Sequence, residues 1–183
     1  MADRPTPGGP EDRGRPELEG LGVVPAPEAE TARPTGPQML LLKLDGAEFA
    51  LPVDCVCGVI EVPQVTKVPL APPSVAGVAA VRGEIVPVID LGMRLRNRPT
   101  VGAPRLVTVE TPSVAGRIGL LADDVVGMIQ VSSAEAIEPL PADAAADFPE
   151  GVASGVFSPA EGRVIVVLRL DGLLAIDELV KEI

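Results

Sequence analysis

The chain contains no histidine, tryptophan or tyrosine among its 183 residues, and aromatic residues make up only 2% of it. Histidine is the usual general base, the usual partner of a nucleophilic serine or cysteine and the commonest zinc ligand, so its absence argues against most familiar catalytic designs. A formal net charge of −11 and the lack of large aromatic rings remove the attraction to phosphate and the stacking platforms for bases. The composition therefore argues against nucleic-acid binding.

Long apolar runs are also missing. No run approaches the roughly 18 residues that a bilayer-spanning helix needs. Residues 1–10 carry charge and proline rather than the apolar core of a signal peptide. We therefore expect a cytoplasmic protein that does not insert into a membrane.

The residues that could hold a metal or a cofactor are few. Cys55 and Cys57 are the two cysteines, and their spacing puts both thiols on one face of a strand with poor geometry for a disulfide. We expect them to be buried small apolar side chains. Asp123 and Asp124 point to opposite faces if they lie on a strand, and no phosphate-binding glycine motif is present. The sequence thus predicts no metal site and no cofactor.

Residues 1–37 differ in composition from the rest of the chain. They are poor in large apolar side chains and rich in proline, glycine and glutamate, so burial cannot offset the entropy lost on ordering them. We expect a disordered tail that either solubilises the chain or tethers it to a partner. The remainder, 38–183, has the size of one domain.

Beyond residue 37, short Val-, Ile- and Leu-rich segments separated by Gly, Pro and Asp predict an all-β domain. The predicted strands are 38–44, 48–53, 54–62, 77–81, 84–91, 105–110, 117–122, 125–131, 151–157 and 163–170. Asp45-Gly46 predicts a tight hairpin turn between the first two strands. Pro87 lies inside a predicted strand, which should therefore be an edge strand or bulge there. Strand 163–170 is apolar almost throughout and should be covered on both faces.

The end of the chain has a helical period. Over Asp171–Ile183, apolar residues recur at steps of three and four positions and charged residues fill the other side. The pattern predicts a short C-terminal α-helix that packs on the domain, with Asp171 as its N-cap.

An internal repeat indicates that the domain has two similar parts. Asp54-x-Val-x-Gly58-Val-Ile-x-Val62 is echoed by Asp123-x-Val-x-Gly127-Met-Ile-x-Val131. The stretches 77–79 and 83–91 are likewise matched by 151–153 and 162–170. Each copy has about five strands, which most readily close into a small barrel without exposed edges. We expect two packed barrels, over roughly 45–100 and 101–170.

Two groups of basic residues need an explanation. Arg94, Arg96, Arg98 and Arg105 form the main basic concentration of the acidic chain. They follow a predicted turn after Leu91 and belong either to a solvated loop or to a surface for an acidic partner. Arg82 stands between apolar residues, where an unpaired cation is costly to bury. We expect it to pair with Glu61, or failing that with Asp90, and the pair is either structural or part of a partner-binding surface.

The stretch Gly77-Val-Ala-Ala-Val-Arg82-Gly83-Glu-Ile-Val-Pro87-Val-Ile-Asp90-Leu91 closely resembles the central signature of the CheW-type coupling protein family, G-V-x-N-L-R-G-x-x-x-P-V-x-D-L. Further family-like stretches at 44–53, 59–61, 69–73, 119–125 and 135–139 occur in family order, so the resemblance covers about residues 38–180. Ala80-Val81 replaces the family's Asn-Leu, and the proline-rich tail is longer than the minimal family pattern. Both departures leave room for a specialised, non-flagellar pathway.

The resemblance implies two SH3-like five-stranded barrels, no catalysis and no cofactor. It also implies a scaffold that joins the cytoplasmic tips of chemoreceptors to the regulatory domain of a CheA-type histidine kinase in a signalling array. The positions at which the family contacts its partners match Val59, Glu61, Gly77, Arg82, Gly119, Val125 and Met128. These residues would line a groove between the barrels and its rims. Outside the array we expect a monomer.

Two other functions are compatible with the residues. One is a small-molecule-binding barrel module or a divergent hydrolase, which would need a polar pocket that the sequence does not locate. The other keeps the family but makes the chain a competing adaptor that fills array positions without activating the kinase.

Overall fold

A computed structural model describes residues 36–175 of the chain. The tail that the sequence predicts and most of the predicted C-terminal helix lie outside the described residues. Within them the fold is almost entirely β, as expected from the sequence. The strands are β1 (Gln38–Leu44), β2 (Ala47–Pro52), β3 (Val56–Glu61), β4 (Val65–Thr66), β5 (Val75–Val81), β6 (Glu84–Asp90), β7 (Arg105–Thr111), β8 (Val114–Ala122), β9 (Asp124–Gln130), β10 (Ala153–Ala160) and β11 (Arg163–Leu168).

The strands form two sheets. Sheet one has the order β10-β11-β2-β1-β9, and sheet two has the order β3-β7-β8-β6-β5-β4. All ten predicted strands are present with bounds that differ by a few residues, and β4 was not predicted. The turn at Asp45-Gly46 is confirmed, because both residues have positive φ, 49° and 80°, and join β1 directly to β2.

Helices are few and short: α1 (Leu91–Arg96), α2 (Ala142–Ala145) and α3 (Leu170–Leu173), with 3₁₀ turns at Val53–Cys55 and Ala134–Ala136. The sequence analysis missed α1. The N-cap prediction for Asp171 was wrong, since Arg169 precedes α3 and Asp171 lies inside it. The Asp171 carboxylate instead accepts hydrogen bonds from Thr111 Oγ1 at 2.9 Å and Ser113 Oγ at 2.6 Å, which lower its pKa.

The expectation that the strand containing Pro87 is an edge strand or bulges at Pro87 was also wrong for the strand as a whole. β6 is an inner strand between β5 and β8, and its register with β5 runs through Pro87 without a shift. The pairing with β8 covers only Val88–Asp90. The half of β6 that holds Pro87 is therefore open on its β8 side, so the strand tolerates a residue without an N–H there.

Three clusters of apolar side chains pack against the two sheets. Every strand of sheet one contributes to one cluster, which contains Met39, Leu41, Ala50, Ile129, Phe157, Ile165 and Val167. Every strand of sheet two contributes to another, which contains Ile60, Val65, Ala79, Val81, Val86, Val88, Leu106 and Leu121. Each sheet therefore curves around its own core, as in a small barrel. A third and larger cluster joins the sheets, and we call it the central core; its fully buried members include Leu42 and Phe49 of sheet one and Val107 and Leu120 of sheet two.

Strand β11 is covered on both faces only in its second half. Ile165 and Val167 are buried in the core of sheet one, and Leu168 is buried in the central core. Val164 is 60% exposed. The sequence prediction for this strand thus holds where β11 approaches sheet two and not at its start.

The two sheets do not follow the consecutive stretches 45–100 and 101–170 that the repeat suggested. The hairpin β1–β2 belongs to the same sheet as β9, β10 and β11, while the hairpin β7–β8 completes the sheet that contains β3 to β6. The hairpin of each copy of the repeat thus belongs to the sheet that contains the remaining strands of the other copy. The chain passes between the sheets at two short connections: Val53–Cys55 separates β2 from β3, and Asp123 separates β8 from β9. These crossings place β3 and β9 in the sheet opposite to that of the hairpin preceding each of them.

The pairings of the two sheets correspond one to one. The parallel pair Ala50 and Val167 of sheet one corresponds to Gly119 and Val88 of sheet two. The structure also corrects the repeat. Gly77 corresponds to Gly155 and not to Gly151, because the pairing of Thr66 with Val78 is matched by that of Glu138 with Val156.

An ion pair joins equivalent strands in the two sheets, β11 with β2 in sheet one and β6 with β8 in sheet two. The charges are on opposite strands in the two sheets. In sheet one, Arg163 on β11 donates from Nε to Glu48 on β2 at 2.7 Å and from Nη2 at 2.8 Å. In sheet two, Arg117 on β8 lies 3.2 Å from Glu84 on β6. The Arg163 guanidinium holds the pKa of Glu48 below its ordinary value, since it stabilises the carboxylate.

We expect both sheets to unfold in one cooperative transition, because the central core contains side chains from both and each sheet contains strands from both copies. Leu42→Ala in the central core and Leu106→Ala in the core of sheet two should each destabilise that single transition, by about 2–5 kcal/mol. Differential scanning calorimetry measures this. Two resolved transitions, or a variant that shifts only part of the heat absorption, would contradict it.

The reversed ion pairs predict that the charges of Glu48 and Arg163 can be exchanged. Glu48→Arg and Arg163→Glu should each lower the melting temperature, and the double variant should recover most of the loss. Because the folded-state pKa of Glu48 is lowered, the contribution of the wild-type pair is present above the ordinary glutamate pKa and disappears as the pH falls through the folded-state value. Thermal melts at neutral and acidic pH test both points, and a double variant no better than the worse single one would refute the exchange.

Candidate partner-binding site

The outer strands β3 and β9 occupy equivalent places in the two sheets. β3 pairs only with β7, and β9 pairs only with β1. The other long side of each strand therefore carries backbone groups that no neighbouring strand of its sheet covers. Open edges of this kind are the places where a second chain can add to a sheet.

The side chains of both edges alternate between two environments, as a strand requires. We call the outward-facing residues Cys57, Val59 and Glu61 the β3 edge, and Val126, Met128 and Gln130 the β9 edge; all six are exposed. Three of them are large and apolar, with Val59 40%, Val126 49% and Met128 63% exposed. Apolar side chains grouped on an open strand favour a protein-binding surface.

Each edge also bulges at the equivalent position. The register between β3 and β7 shifts between Val56 and Gly58, which leaves Cys57 as the extra residue. The register between β9 and β1 shifts between Val125 and Gly127, which leaves Val126. A bulge bends and twists the strand locally and is common where an edge must not pair along its whole length.

Four of the residues that the sequence analysis singled out lie on these two strands. Val59 and Glu61 belong to the β3 edge, and Met128 belongs to the β9 edge. Val125 is half-buried on the inner side of β9, where it packs against the central core. Glu61 has a 93% exposed side chain and lies 3.8 Å from Arg105, an exposed pair that contributes little to stability.

Gly77 and Gly119 are buried and lie in one row across sheet two, on either side of Val88. Gly77 has φ of 144°, and a Cβ there would lie 2.2 Å from the carbonyl oxygen of Thr66. Gly119 faces Leu106, whose Cδ1 would be 2.8 Å from an added Cβ. Both glycines therefore allow close packing of strands, and a side chain at Gly77 would disturb the fold before it could disturb a partner.

The predicted burial of Arg82 and its pairing with Glu61 or Asp90 were wrong. Arg82 and Gly83 form the turn between β5 and β6, with positive φ at both residues, and Arg82 is exposed rather than buried. Among the ion pairs of the described residues, Glu61 pairs with Arg105 and none includes Arg82. The prediction of burial failed because the apolar neighbours of Arg82 lie on strands, whereas Arg82 lies in the two-residue turn that projects beyond them.

Asp90, the other predicted partner of Arg82, ties α1 to the segment that follows it. Its carboxylate accepts hydrogen bonds from Met93 N at 3.1 Å, Thr100 N at 3.2 Å and Thr100 Oγ1 at 2.6 Å. The residue is only 8% exposed. Asp90 is thus the N-cap of α1, and an aspartate directly before Leu91 was the sequence signal for this missed helix.

The four arginines after Leu91 each contact another part of the chain, Arg105 through Glu61 as described above. Arg94 and Arg96 lie on α1 rather than in a turn, and Arg94 Nη2 lies 3.5 Å from the carbonyl oxygen of Gly172. The Arg96 guanidinium lies over the rings of Phe49 at 5.4 Å and Phe148 at 5.7 Å. Arg98 pairs with Asp45 at 2.6 Å. Each therefore has a local structural contact.

The two cysteines are in different environments, so the expectation of two buried thiols on one strand was wrong. Cys55 is half-buried in the 3₁₀ turn before β3, where its thiol donates to the carbonyl oxygen of Pro52 at 2.9 Å, and burial raises its pKa. Cys57 is exposed at the bulge of β3. Both are free thiols.

Within residues 36–175, no cluster of three or more metal-ligating side chains is present. No helix in the same range is long and apolar enough to cross a bilayer.

The sequence analysis missed Val126 and Gln130 as surface residues. The repeat contained the signal, because it matches Met128 with Val59, and the residues two positions to either side of Met128 then face outward with it.

Known proteins resemble this chain in sequence over most of its length. The profile of the CheW-like domain matches residues 38–178. The chain is 30% identical over 143 residues to the chemotaxis protein CheW of Rhizobium meliloti, a match that covers 78% of this chain and 90% of that protein. A probable chemotaxis protein CheW of Rhizobium etli is 26% identical over 138 residues, with 75% and 87% covered.

A solved structure has the same architecture. The scaffolding protein TtCheW from Thermoanaerobacter tengcongensis superposes with a TM-score of 0.66 at 25% sequence identity, and the match covers 75% of this chain and 92% of that one. The profile match, the sequence identity and the shared fold all extend over most of the chain. This protein is therefore a member of the CheW-like domain family.

Proposed function

We propose that this protein is a non-enzymatic adaptor that couples the cytoplasmic tips of chemoreceptors to the regulatory domain of a CheA-type histidine kinase in a chemosensory array. The observation that carries the proposal is the family match over residues 38–178. The relatives support it by their names, since two are chemotaxis proteins and the solved one is a scaffolding protein.

An adaptor needs two separate surfaces, and β3 and β9 supply one open edge on each sheet. Their chemistry differs although their positions are equivalent. The β3 edge contains a carboxylate, Glu61, with Arg105 beside it. The β9 edge is uncharged, with two apolar residues and Gln130. Two edges that share a shape but not a chemistry suit two different partners.

The acidic side chains with the most hydrogen bonds serve the fold. Asp90 and Asp171 each hold a neighbouring segment through two or more donors, as described above, and Asp123 accepts two backbone N–H groups. The hydrogen bonds of these carboxylates therefore go to donors of the chain itself. This supports an adaptor role in which the phosphate chemistry belongs to the kinase.

We expect Val59→Lys and Met128→Lys each to weaken the binding of one partner by about tenfold or more, because a desolvated charge at the centre of an interface is costly. Val164→Lys is the matched control, since Val164 is about as exposed as Met128, 60% against 63%, but lies on the inner strand β11. Titration calorimetry with a chemoreceptor tip fragment and with the kinase regulatory domain measures both affinities. If both edge variants bind both partners as tightly as wild type, the edges are not the site.

Coupling also predicts an effect on the kinase. Addition of the protein to receptor-containing membranes and a CheA-type kinase should raise the rate of kinase autophosphorylation, whereas the protein and kinase without receptor should show no such rise. Phosphate incorporation into the kinase measures it. An unchanged rate would contradict the coupling role, and a lowered rate would identify a competing adaptor.

A further inference from the structure

Asp123 alone joins β8 of sheet two to β9 of sheet one, and its carboxylate connects three segments. Oδ2 accepts the backbone N–H of Asp45, in the β1–β2 turn, at 2.7 Å. Oδ1 accepts the backbone N–H of Val101, in the segment before β7, at 2.8 Å. Arg98 from that segment pairs with the Asp45 carboxylate at 2.6 Å. Asp123, where the chain passes from sheet two to sheet one, is thus hydrogen-bonded both to the β1–β2 turn and to the segment before β7.

The start of β9 depends on this contact for its register. Lys43 pairs with Asp124 and Leu42 with Val125, and the bulge at Val126 then interrupts the ladder. Only two pairs therefore hold β9 before the bulge. The bond from the Asp45 N–H to Asp123 adds a third connection at the next position along.

A change of register would alter what β9 presents. Side chains of a strand alternate between faces, so a slip of one residue moves every side chain to the opposite face. Before the bulge such a slip would turn Val126 inward and bring Val125 to the surface, whereas the four pairs of residues 38–41 with β9 hold Met128 in place. Partner recognition on the β9 edge thus requires the register to be fixed.

The equivalent aspartate of the other copy makes no such contact. Asp54 is exposed, and none of the hydrogen bonds within residues 36–175 involves its side chain. The position that corresponds to Asp45 is Pro112, which has no N–H to donate. The β7–β8 turn is held instead by Asp171, through Thr111 and Ser113. The repeat therefore does not by itself require the Asp123 contacts, which belong to the β9 side alone.

We infer that Asp123 is a positioning residue for partner binding: by accepting the N–H groups of Asp45 and Val101 it fixes the start of β9, so that Val126 faces the partner beside Met128. This inference rests on the adaptor function proposed above. It assigns Asp123 no contact with the partner itself.

The test compares Asp123→Asn, which keeps the size of the side chain but replaces one acceptor with a donor, with the matched control Asp54→Asn. Asp123→Asn should weaken by about tenfold the binding of the partner that Met128→Lys loses, as removal of a hydrogen bond to a charged group does. Binding of the partner that Val59→Lys loses should stay within twofold of wild type. Affinities are measured by calorimetry, with a receptor tip fragment and a kinase regulatory domain, at a temperature where every variant is fully folded.

Amide hydrogen exchange supplies a readout that a general loss of stability would not reproduce. In Asp123→Asn the amides of Asp45 and Val101 and those of β9 should exchange faster, while those of β3 keep the wild-type rate. Asp54→Asn should match wild type throughout. If Asp123→Asn does not fold, Arg98→Gln removes the neighbouring exposed ion pair and should give a smaller change of the same kind.

The outcomes separate the two proposals. Wild-type protein that binds neither fragment overturns the adaptor function and this inference with it. Wild-type protein that binds both, together with Asp123→Asn that binds both equally well, overturns the positioning role alone. An equal loss of both partners in Asp123→Asn, or faster exchange throughout both sheets, also overturns it, because either result indicates general destabilisation.

Discussion

The central core is the packing on which the rest of this structure depends, because it contains buried side chains from both sheets. The chain passes from one sheet to the other at Val53–Cys55, between β2 and β3, and at Asp123, between β8 and β9. Each hairpin pairs with strands of the opposite copy. The central core fills the space between sheets that the chain joins at both crossings. The two open edges begin directly after these crossings.

The two copies have kept their pairing geometry while their chemistry has diverged. The ion pair between the parallel strands has opposite polarity in the two sheets. The hairpin turns are anchored by different carboxylates, Asp123 in one case and Asp171 in the other. Backbone pairing depends on shape and hydrogen bonds that most residues supply, whereas surface side chains can change without disturbing it. Divergence of this kind lets equivalent edges acquire different partners.

The sequence predicted what local pattern controls. Runs of alternating and apolar residues located ten strands, Asp45-Gly46 located a hairpin turn, and the repeated segments indicated two similar parts. The family signature located the chain among the coupling proteins. Each of these signals lies within a short stretch of chain and depends little on what packs against it.

The remaining features depend on distant contacts. β4 has two residues and exists because Gly77 lets the backbone of Thr66 approach. Exchange of the hairpins depends on pairing between strands that are far apart in the chain, such as β1 with β9, which composition does not reveal. Arg82 was misplaced because its apolar neighbours lie on strands while Arg82 itself lies in the turn between them. On the edges, the repeat matched Met128 with Val59, but the bulge that leaves Val126 unpaired is visible only in the register.

The exchange of hairpins also sets an order of events on the ribosome. All strands of sheet two lie within one continuous stretch, from Val56 to Ala122, so this sheet has every strand available once that stretch has left the exit tunnel. Sheet one needs β1 and β2 from the beginning of the domain and β9, β10 and β11 from its end. The first hairpin to be synthesised is thus among the last to find its neighbours, and its buried leucines remain without their partner strands until β9, β10 and β11 have been translated.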